Sequence, residues 1–464
     1  MRPGDNLSVS HNYSTERPTV ALFDSCMCLP DGFTHEAMKP GCLFILICFH
    51  SKHSSSINLK KSSVFLPVMC NLKFSIDASH GNARAARIVL PHGLVETPAF
   101  LPVATKATVK SISPEELEEI GVQVLIANTY HLHLKPGEEL VVGHGGLHGF
   151  MGWKKPIATD SGGFQAFSLG LGAKLGEGKF EYDSALQSRK NSKKLLKRSA
   201  FITGEGIRFK SPYDGKEHLF TPEKSIEIQE KLGADIILAL DECSPPSAGY
   251  EYTKESMKLT HKWAVQSLKA HTTSQALYGI IQGGLFEDLR KQSAEFISFL
   301  DFDGIAIGGS FGKDEMSLSL DWVMPLLPEN KPRHLLGVGG VSDIFESVKR
   351  GMDTFDCVGP TRMARIGYAY LLPQSGGSQK NKFKFRITNQ AFERDLSPID
   401  KNCRCSVCQS FSRAYIYHLF KNKEMLGLRL VSYHNLFFFS SLMQSIRRSI
   451  LDKKLEKLYS KWLG

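Results

Sequence analysis

The amino-acid sequence predicts an α/β fold, a (β/α)8 or TIM barrel with a small subdomain inserted after the eighth strand. Three observations predict this fold. Eight apolar runs of strand length follow one another along the chain, helical patterns separate them, and a group of closely spaced cysteines follows the last run. Eight strand–helix repeats are the number that closes such a barrel. A chain of 464 residues with 42% hydrophobic content is long enough to build it.

The eight apolar runs have the character of buried parallel strands, because all but the first join a short apolar stretch to closing Gly, Asp or Asn residues. In chain order they are AFLPVAT from Ala99, VLIANTYHL from Val124, PIATDSGG from Pro156, DIILALDEC from Asp235, ALYGIIQGG from Ala276, GIAIGGS from Gly304, HLLGVGG from His334 and TFDCVGP from Thr354. A doubly wound open sheet is the alternative, since strand counts from sequence are uncertain. Both folds place functional sites at the carboxyl ends of the strands.

Helices with recognisable ends separate these runs. The segments SPEELEEIG and TPEKSIEIQEKLG each begin with a Ser-Pro or Thr-Pro cap and end at glycine. Ahead of the first run, the segment FSIDASHGNARAARIVLPHGLVETPAF predicts an amino-terminal hairpin. The sequence therefore predicts a small antiparallel hairpin followed by the barrel.

We divide the chain into two parts by composition. Residues 1–72 lack sustained periodicity and are predicted to be a poorly ordered extension, or to precede the true start, because Met69 opens the first orderly stretch. Residues 73–464 form the predicted barrel, with a basic insertion at 171–205 and the subdomain at 375–440.

The run RKNSKKLLKR (189–198) supplies six of the positive charges behind the formal net charge of +10. This local basicity suits a polyanionic partner, although a solvated loop without a partner explains the run equally well.

Composition also indicates a reducing, cytoplasmic location. The ten cysteines are unevenly spread, which does not fit the disulfide framework of a small secreted domain. The apolar segment CLFILICF (42–49) is far shorter than the ~20 residues that span a bilayer, and it lacks the features of a signal peptide. We therefore expect no membrane association.

The segment CRCSVC predicts a zinc site formed by Cys403, Cys405 and Cys408. Three thiolates this close repel one another unless a cation neutralises them, and zinc accepts three sulfurs and one imidazole. The spacing leaves His418 and His434 open as the fourth ligand. Four protein ligands leave no open position, so the predicted ion is structural. Unrelated reduced thiols are the alternative.

Polar residues that close several strands suggest a pocket for a nucleobase. Asp160 and Asp241 offer acceptors, and together with Gln282 and the backbone amides of Gly308 and Gly309 they match the hydrogen-bonding edge of a guanine. Taken singly, each strand-end aspartate is as often a helix N-cap as a ligand. The combination of these groups, predicted to face one cavity, favours the binding of a nucleobase over separate capping roles.

The eighth run carries a third carboxylate, Asp356, followed closely by Arg362 and Arg365. The spacing alone is equally compatible with a capping role or an ion pair between these groups. Alternatively, the arginines clamp phosphates and leave the carboxylate free for covalent chemistry.

At this point the motifs TDSGGFQ, DEC, IIQGG, FDCVGPTR, CRCSVC and RAYIYHLF…YHN resemble the queuine tRNA-ribosyltransferase family, also called tRNA-guanine transglycosylases, over about residues 74–461. The resemblance implies a zinc-bearing barrel enzyme, a pentosyltransferase. Such enzymes exchange the wobble guanine of tRNAs with a GUN anticodon for a 7-deazaguanine base. Partners implied are the tRNA anticodon stem-loop, the free base and, as bacterial relatives suggest, a second copy of the chain in a homodimer.

The resemblance also implies a role for each matching residue. It makes Asp356 the nucleophile on the ribose and Asp160 the acid/base partner. The remaining roles are base binding by Asp241, Gln282 and Gly309 with Phe164 stacking on the base, anticodon binding by Arg362 and Arg365, and His434 as the fourth ligand of one structural zinc ion beside Cys403, Cys405 and Cys408.

Departures from the family pattern bear on the choice of base. Phe164 stands where many bacterial members carry Tyr, and the loop SFGKDEM after Gly309 is short, which favours queuine over its smaller aminomethyl precursor. The chain ends soon after the predicted zinc subdomain, which favours action at the wobble position over another tRNA site. Two other functions stay open: a non-catalytic tRNA-binding accessory subunit of the same fold, and a glycoside or nucleoside hydrolase.

Overall fold

The computed structural model describes residues 70–167, 200–309 and 313–464. The predicted extension 1–72 lies outside the described residues except for its last three positions. The basic run 189–198 also lies outside them, together with most of the predicted insertion 171–205. Within the described ranges, no helix combines the length and the apolar character needed to cross a membrane.

Eight parallel strands close into a barrel, as the sequence predicts. The barrel strands are β4 (Ala99–Ala104), β5 (Leu125–Ala127), β6 (Ile157–Thr159), β10 (Ile236–Leu238), β11 (Ala276–Ile281), β12 (Gly304–Ile307), β13 (Arg333–Leu335) and β14 (Thr354–Cys357). Seven of the eight predicted runs contain one of them, and the seventh run, from His334, overlaps β13, which begins one residue earlier. The strands pair in this chain order, and β14 closes the ring by pairing with β4 while β6 pairs with β10.

Helices fill the connections between the barrel strands. They are α1 (Pro114–Ile120), α2 (Thr129–Leu134), α3 (Glu138–Gly143), α4 (Gly146–Met151), α5 (Gly163–Phe167), α6 (Pro222–Leu232), α7 (Tyr250–Ala270), α8 (Glu287–Phe299), α9 (Lys313–Val323), α10 (Val341–Lys349) and α11 (Gly359–Arg365). Both predicted caps are confirmed: Ser113 forms a capping box at the start of α1, and Thr221 caps α6. Gly121 and Gly233 end these helices in the left-handed conformation.

The amino-terminal element is larger than the predicted hairpin. Strands β1 (Lys73–His80), β2 (Ala83–Leu90) and β3 (Gly93–Thr97) form one antiparallel sheet. The sheet is tied to the barrel by Arg84, whose guanidinium donates two hydrogen bonds to the buried carboxylate of Asp353, just before β14. The sequence did not predict the third strand because its short GLVET segment shows little alternation.

A second antiparallel sheet, which the sequence analysis missed, lies between β6 and β10. It consists of β7 (Ala200–Ile202), β8 (Ile207–Lys210) and β9 (Glu217–Phe220). Its inner face packs on α2, where Tyr130 contacts the rings of Phe209 and Phe220. The predicted insertion boundary at residue 205 therefore falls beyond the start of this sheet.

The carboxyl-terminal region contains strands β15 (Tyr368–Tyr370) and β16 (Lys384–Arg386) and the helices α12 (Ser406–Ser410), α13 (Arg413–Lys421), α14 (Met425–Leu451) and α15 (Leu455–Leu463). The helix α14 is continuous for 27 residues. Its early residues face the cysteine segment, and its later residues pack on β1, β2 and β4. The predicted subdomain boundary at 440 thus falls inside one helix that belongs to both parts.

Candidate active site

The predicted site residues lie at the carboxyl ends of the barrel strands. Asp160 directly follows β6, Asp241 lies shortly beyond β10, Gln282 directly follows β11 and Gly309 lies just beyond β12. These four strands are neighbours in the barrel, so the residues share one side of its mouth. Asp356 is part of β14, which is separated from β12 by β13 on one side and from β6 by β4 and β5 on the other.

Asp160 is held by a ring of donors. Its carboxylate accepts hydrogen bonds from the side chain of Asn128, the backbone N–H groups of Thr129 (2.9 Å) and Gly162 (3.2 Å), and Gln165 Nε2 (3.1 Å). Burial raises the pKa of Asp160 to about 6, and the negative charge of Asp356 adds to the increase, while the donors oppose it. A carboxyl group with this pKa can give and take a proton near neutral pH.

Asp241 and Gln282 form a buried pair at the same end of the barrel. Gln282 Nε2 donates to Asp241 Oδ2 over 2.7 Å, and Ser161 Oγ donates to Oδ1 over 3.1 Å. Gln282 is 2% exposed, and its Oε1 is buried without a hydrogen-bond partner in the described part of the protein. Buried acceptors are normally satisfied, so an open one beside a carboxylate is suited to a ligand that carries N–H donors.

Two glycines allow the groups of this cavity to approach one another. A Cβ atom at Gly163 would lie 2.5 Å from the carbonyl oxygen of Asp241, and one at Gly308 would lie 2.4 Å from Gln282 Nε2. Both contacts are closer than a side chain tolerates. Phe164, the second residue of α5, follows Gly163 and is partly buried. Gly309 follows Gly308 and is buried with a φ of 137°. The sequence therefore needs glycine here to bring the strand ends together.

Asp356 presents its carboxylate to the barrel mouth with 15% of the side chain exposed. Its Oδ1 accepts a hydrogen bond of 2.8 Å from the backbone N–H of Gly337. The same oxygen lies 3.3 Å from His334 Nε2, at an angle that falls short of a hydrogen bond. In the described residues, the side chain that lies against the Asp356 carboxylate is thus His334 of the neighbouring strand rather than Arg362 or Arg365.

The two predicted arginines lie on α11, the helix that directly follows β14. Arg362 is exposed, and Arg365 is half-buried with Nη1 lacking a hydrogen-bond partner in the described residues. Burial lowers the pKa of Arg365, and the positive charge of Arg362 lowers it further. Two cations held this close to each other are suited to binding an anion such as a phosphate group.

The carboxyl-terminal cysteines converge with a histidine in a buried group that could hold a metal ion: Cys403, Cys405, Cys408 and His434. The three Sγ atoms lie 3.7, 3.5 and 3.3 Å from His434 Nδ1. An ion bound tetrahedrally by sulfur at about 2.3 Å and nitrogen at about 2.0 Å has S···N edges of about 3.5 Å. The four side chains therefore fit such an ion.

The alternative ligand His418 is exposed on α13 and contacts Asn422. His434, in contrast, is fully buried, and its Nε2–H donates to the carbonyl oxygen of Tyr370 over 2.8 Å. This bond fixes the tautomer in which Nδ1 is unprotonated and free to bind a metal.

The structure also reveals contributors that the sequence analysis missed. Asn128 closes β5 and holds Asp160. Asn435, beside His434, donates to the carbonyl oxygens of Pro360 (3.0 Å) and Tyr368 (2.9 Å), and so connects α14 to the start of the arginine helix. Asn128 follows the strand-end pattern that identified the aspartates, whereas no sequence signal predicts the contacts of Asn435.

A closed barrel with carboxylates at its strand ends and a Cys3His group beside its last helices defines a barrel enzyme with an attached metal-binding subdomain. Comparison with known proteins agrees. The family model described as "Queuine tRNA-ribosyltransferase" matches residues 78–464. The chain belongs to this family, and it is an enzyme of the pentosyltransferase class.

Several curated relatives are similar over nearly their whole length. A putative queuine tRNA-ribosyltransferase of Archaeoglobus fulgidus is 46% identical over 403 residues, which cover 85% of this chain and 99% of the relative. The queuine tRNA-ribosyltransferase of a Roseiflexus species is 45% identical over 410 residues, with the same coverage. The protein of that name from Enterococcus faecalis is 45% identical over 81% of this chain and 91% of its own length.

Proposed function

We propose that this protein exchanges the wobble guanine of tRNAs with a GUN anticodon for a 7-deazaguanine base, through a covalent bond between Asp356 and the ribose. The observation that carries this proposal is the open acceptor of Gln282 beside the Asp241 carboxylate. A guanine edge offers a ring N–H and an amino group, which are the donors that these two acceptors can bind. The family relationship supports a tRNA substrate.

The first displacement breaks the bond between the guanine and the ribose. An oxygen of Asp356 forms a bond to the anomeric carbon as the guanine departs with the electron pair, and Asp160 gives its proton to the leaving base. The neighbouring carboxylate stabilises the positive charge that develops on the sugar. The second displacement reverses these steps. Asp160 takes a proton from the incoming base, that base attacks the anomeric carbon, and Asp356 leaves as a carboxylate. Two inversions give net retention.

Base exchange requires that water stay out of the pocket while the bases swap. The short distances that Gly163 and Gly308 permit between strand ends support a narrow cavity. The target nucleotide must also leave the anticodon stack to reach Asp356 at the strand end. Arg362 and Arg365, on the helix that follows this strand, are suited to hold phosphates on either side of the target.

We propose that Cys403, Cys405, Cys408 and His434 hold one zinc ion with a structural role. Four protein ligands leave no position for a substrate. Asn435 supports a positioning role, because it ties the metal-bearing helix to the helix of the two arginines. We further propose queuine as the incoming base, because of Phe164 and the short loop after Gly309, and a cytoplasmic homodimer as the active form.

An exchange assay tests the proposal against both alternatives. The purified protein is incubated with radiolabelled guanine and a tRNA that carries a GUN anticodon, with an Asp356→Asn variant alongside. We expect label in the tRNA with the wild type and neither exchange nor trapped covalent adduct with the variant. Binding of tRNA with neither incorporation nor guanine release would identify an accessory subunit, and release of guanine from tRNA without incorporation of label would identify a hydrolase. A competition between queuine and its aminomethyl precursor then identifies the preferred base.

A further inference from the structure

We propose that His334 is a positioning residue for the nucleophile, and that Asp356 attacks through Oδ2 while His334 and Gly337 hold Oδ1. This inference rests on the proposed function, because it assigns a role within the same displacement. Nothing in the sequence pattern singles out His334, which opens the seventh predicted run and lies in the middle of β13. The geometry around Asp356 is what points to it.

Both partners of the Asp356 carboxylate lie on one oxygen. The backbone N–H of Gly337 donates to Oδ1 over 2.8 Å, and His334 Nε2 lies 3.3 Å from the same atom. In the part of the chain that the structure describes, no group bonds to Oδ2. A carboxylate held this way keeps one oxygen fixed and leaves the lone pairs of the other free for a bond to carbon.

The orientation of the imidazole follows from its other nitrogen. His334 Nδ1 lies 2.9 Å from Thr354 Oγ1, and these two residues are register partners on β13 and β14. Asp356 is two residues beyond Thr354 and so projects to the same side of the strand. The hydroxyl also lies 3.4 Å from the carbonyl oxygen of Arg333, a second acceptor. Donation to Nδ1, the shorter of the two contacts, places the proton of the neutral ring on Nε2, where it points at Asp356. The opposite tautomer would direct a lone pair at the carboxylate, which is unfavourable.

A donor at Oδ1 matters most when the carboxylate gains or loses charge. The free carboxylate is stabilised by an N–H group more strongly than the sugar ester that forms in the first displacement. His334 therefore favours departure of Asp356 from the ribose in the second displacement. It also limits rotation of the carboxylate, so that Oδ2 stays directed at the anomeric carbon. The imperfect angle in the free protein can improve in the complex with RNA.

A space-filling role is the alternative explanation. His334 is 3% exposed and lines the apolar barrel interior together with Leu101 and Ile126. A side chain that only fills space could be replaced by another of similar volume without loss of turnover. A positioning residue could not, unless its replacement also carried a donor.

Three variants separate these roles. His334→Phe keeps a planar ring and removes the donor, His334→Gln keeps an N–H group at similar reach, and Thr354→Val removes the hydroxyl that orients the ring. In the exchange assay with labelled guanine, we expect kcat of His334→Phe to fall by about 10- to 100-fold, the range for a hydrogen bond to a charged group. KM for guanine and for tRNA should change less than about threefold. His334→Gln should recover most of kcat, and Thr354→Val should lose about two- to tenfold.

The outcomes separate this inference from the proposed function. Equal kcat losses in His334→Phe and His334→Gln, or losses that appear in KM instead, would identify a space-filling residue and overturn the inference. An unchanged kcat in His334→Phe would also overturn the inference. The proposed function would still stand, provided that the wild type catalyses exchange. If His334→Phe does not fold, Thr354→Val is the test. A loss of kcat with little change in KM supports the inference, and an unchanged kcat overturns it. A wild type without exchange, or an Asp356→Asn variant that retains it, overturns both proposals.

Discussion

Gln282 Nε2 donates a hydrogen bond of 2.7 Å to Asp241 Oδ2, and this contact fixes the orientation of the glutamine amide. The pairing has a cost, because Oε1 is buried without a partner in the described residues. A base that supplies the missing donor relieves that cost on binding. These buried acceptors are therefore suited to a ligand with N–H groups rather than to a hydrocarbon.

The first prediction concerns this acceptor. Gln282→Leu removes Oε1 and also leaves Asp241 without one donor, so we expect KM for guanine to rise by about 10- to 100-fold. The affinity for tRNA should change much less, because the residues that we propose for anticodon binding, Arg362 and Arg365, lie on α11. Gln444→Leu, an exposed glutamine on α14, is the matched control. Steady-state exchange kinetics measure both constants, and an unchanged KM for guanine would remove Gln282 from the pocket.

The second prediction concerns pH. Because the pKa of Asp160 is raised to about 6, the protonated form that assists guanine departure is lost as pH rises through about 6. The rate of adduct formation should therefore fall across this pH range, and the rate of adduct breakdown by an incoming base should rise. Asn128→Ala removes a donor that favours the charged form, so the pKa increases and both midpoints should move to higher pH. Rapid quenching of the two half-reactions from pH 5 to 8 measures them. Midpoints that shift downward would contradict this account of Asp160.

The third prediction concerns RNA binding. Arg362→Ala should weaken tRNA binding and reduce the slope of log affinity against log salt by about 1, because one phosphate contact is lost. KM for guanine should stay within about twofold, since Arg362 lies on α11 outside the base cavity. Arg448→Ala is the control, an exposed arginine of α14 paired with Asp452. Filter binding at several salt concentrations gives both slopes. Parallel losses in RNA and base binding would indicate a structural role for Arg362.

The barrel was predictable because its signal is local. Each strand is a short apolar run, and the residue that closes it reports the carboxyl end, so Asp160, Asp241 and Asp356 could be assigned to one face of the fold. The sheet β7 to β9 was not predictable, since its strands have only three or four residues within a polar stretch. Short strands of this kind depend on packing against α2 rather than on their own pattern.

The partners of the site residues could not be predicted in the same way. His334 meets Asp356 only because β13 and β14 pair in a particular register, and a shift of one residue would turn the imidazole to the other side of the sheet. Asn128 holds Asp160 because β5 and β6 are adjacent in the barrel. Such contacts depend on three-dimensional neighbours, whereas the cysteine segment supplies three ligands from six consecutive residues and was predictable from spacing.

The final prediction concerns the metal group. His434→Ala removes one of four ligands and leaves three buried thiols without a complete shell, so we expect zinc content to fall from one ion per chain to well below one. The melting temperature should fall by roughly 5–10 °C, because the folding energy that the ion supplies is lost. His418→Ala, which alters an exposed histidine on α13 near the same segment, should retain both zinc and melting temperature. Elemental analysis and thermal unfolding followed by circular dichroism measure the two quantities. Full zinc content in His434→Ala, or metal loss in His418→Ala, would contradict the assignment, since among the histidines that the structure describes only His434 has Nδ1 within 3.3–3.7 Å of all three sulfurs.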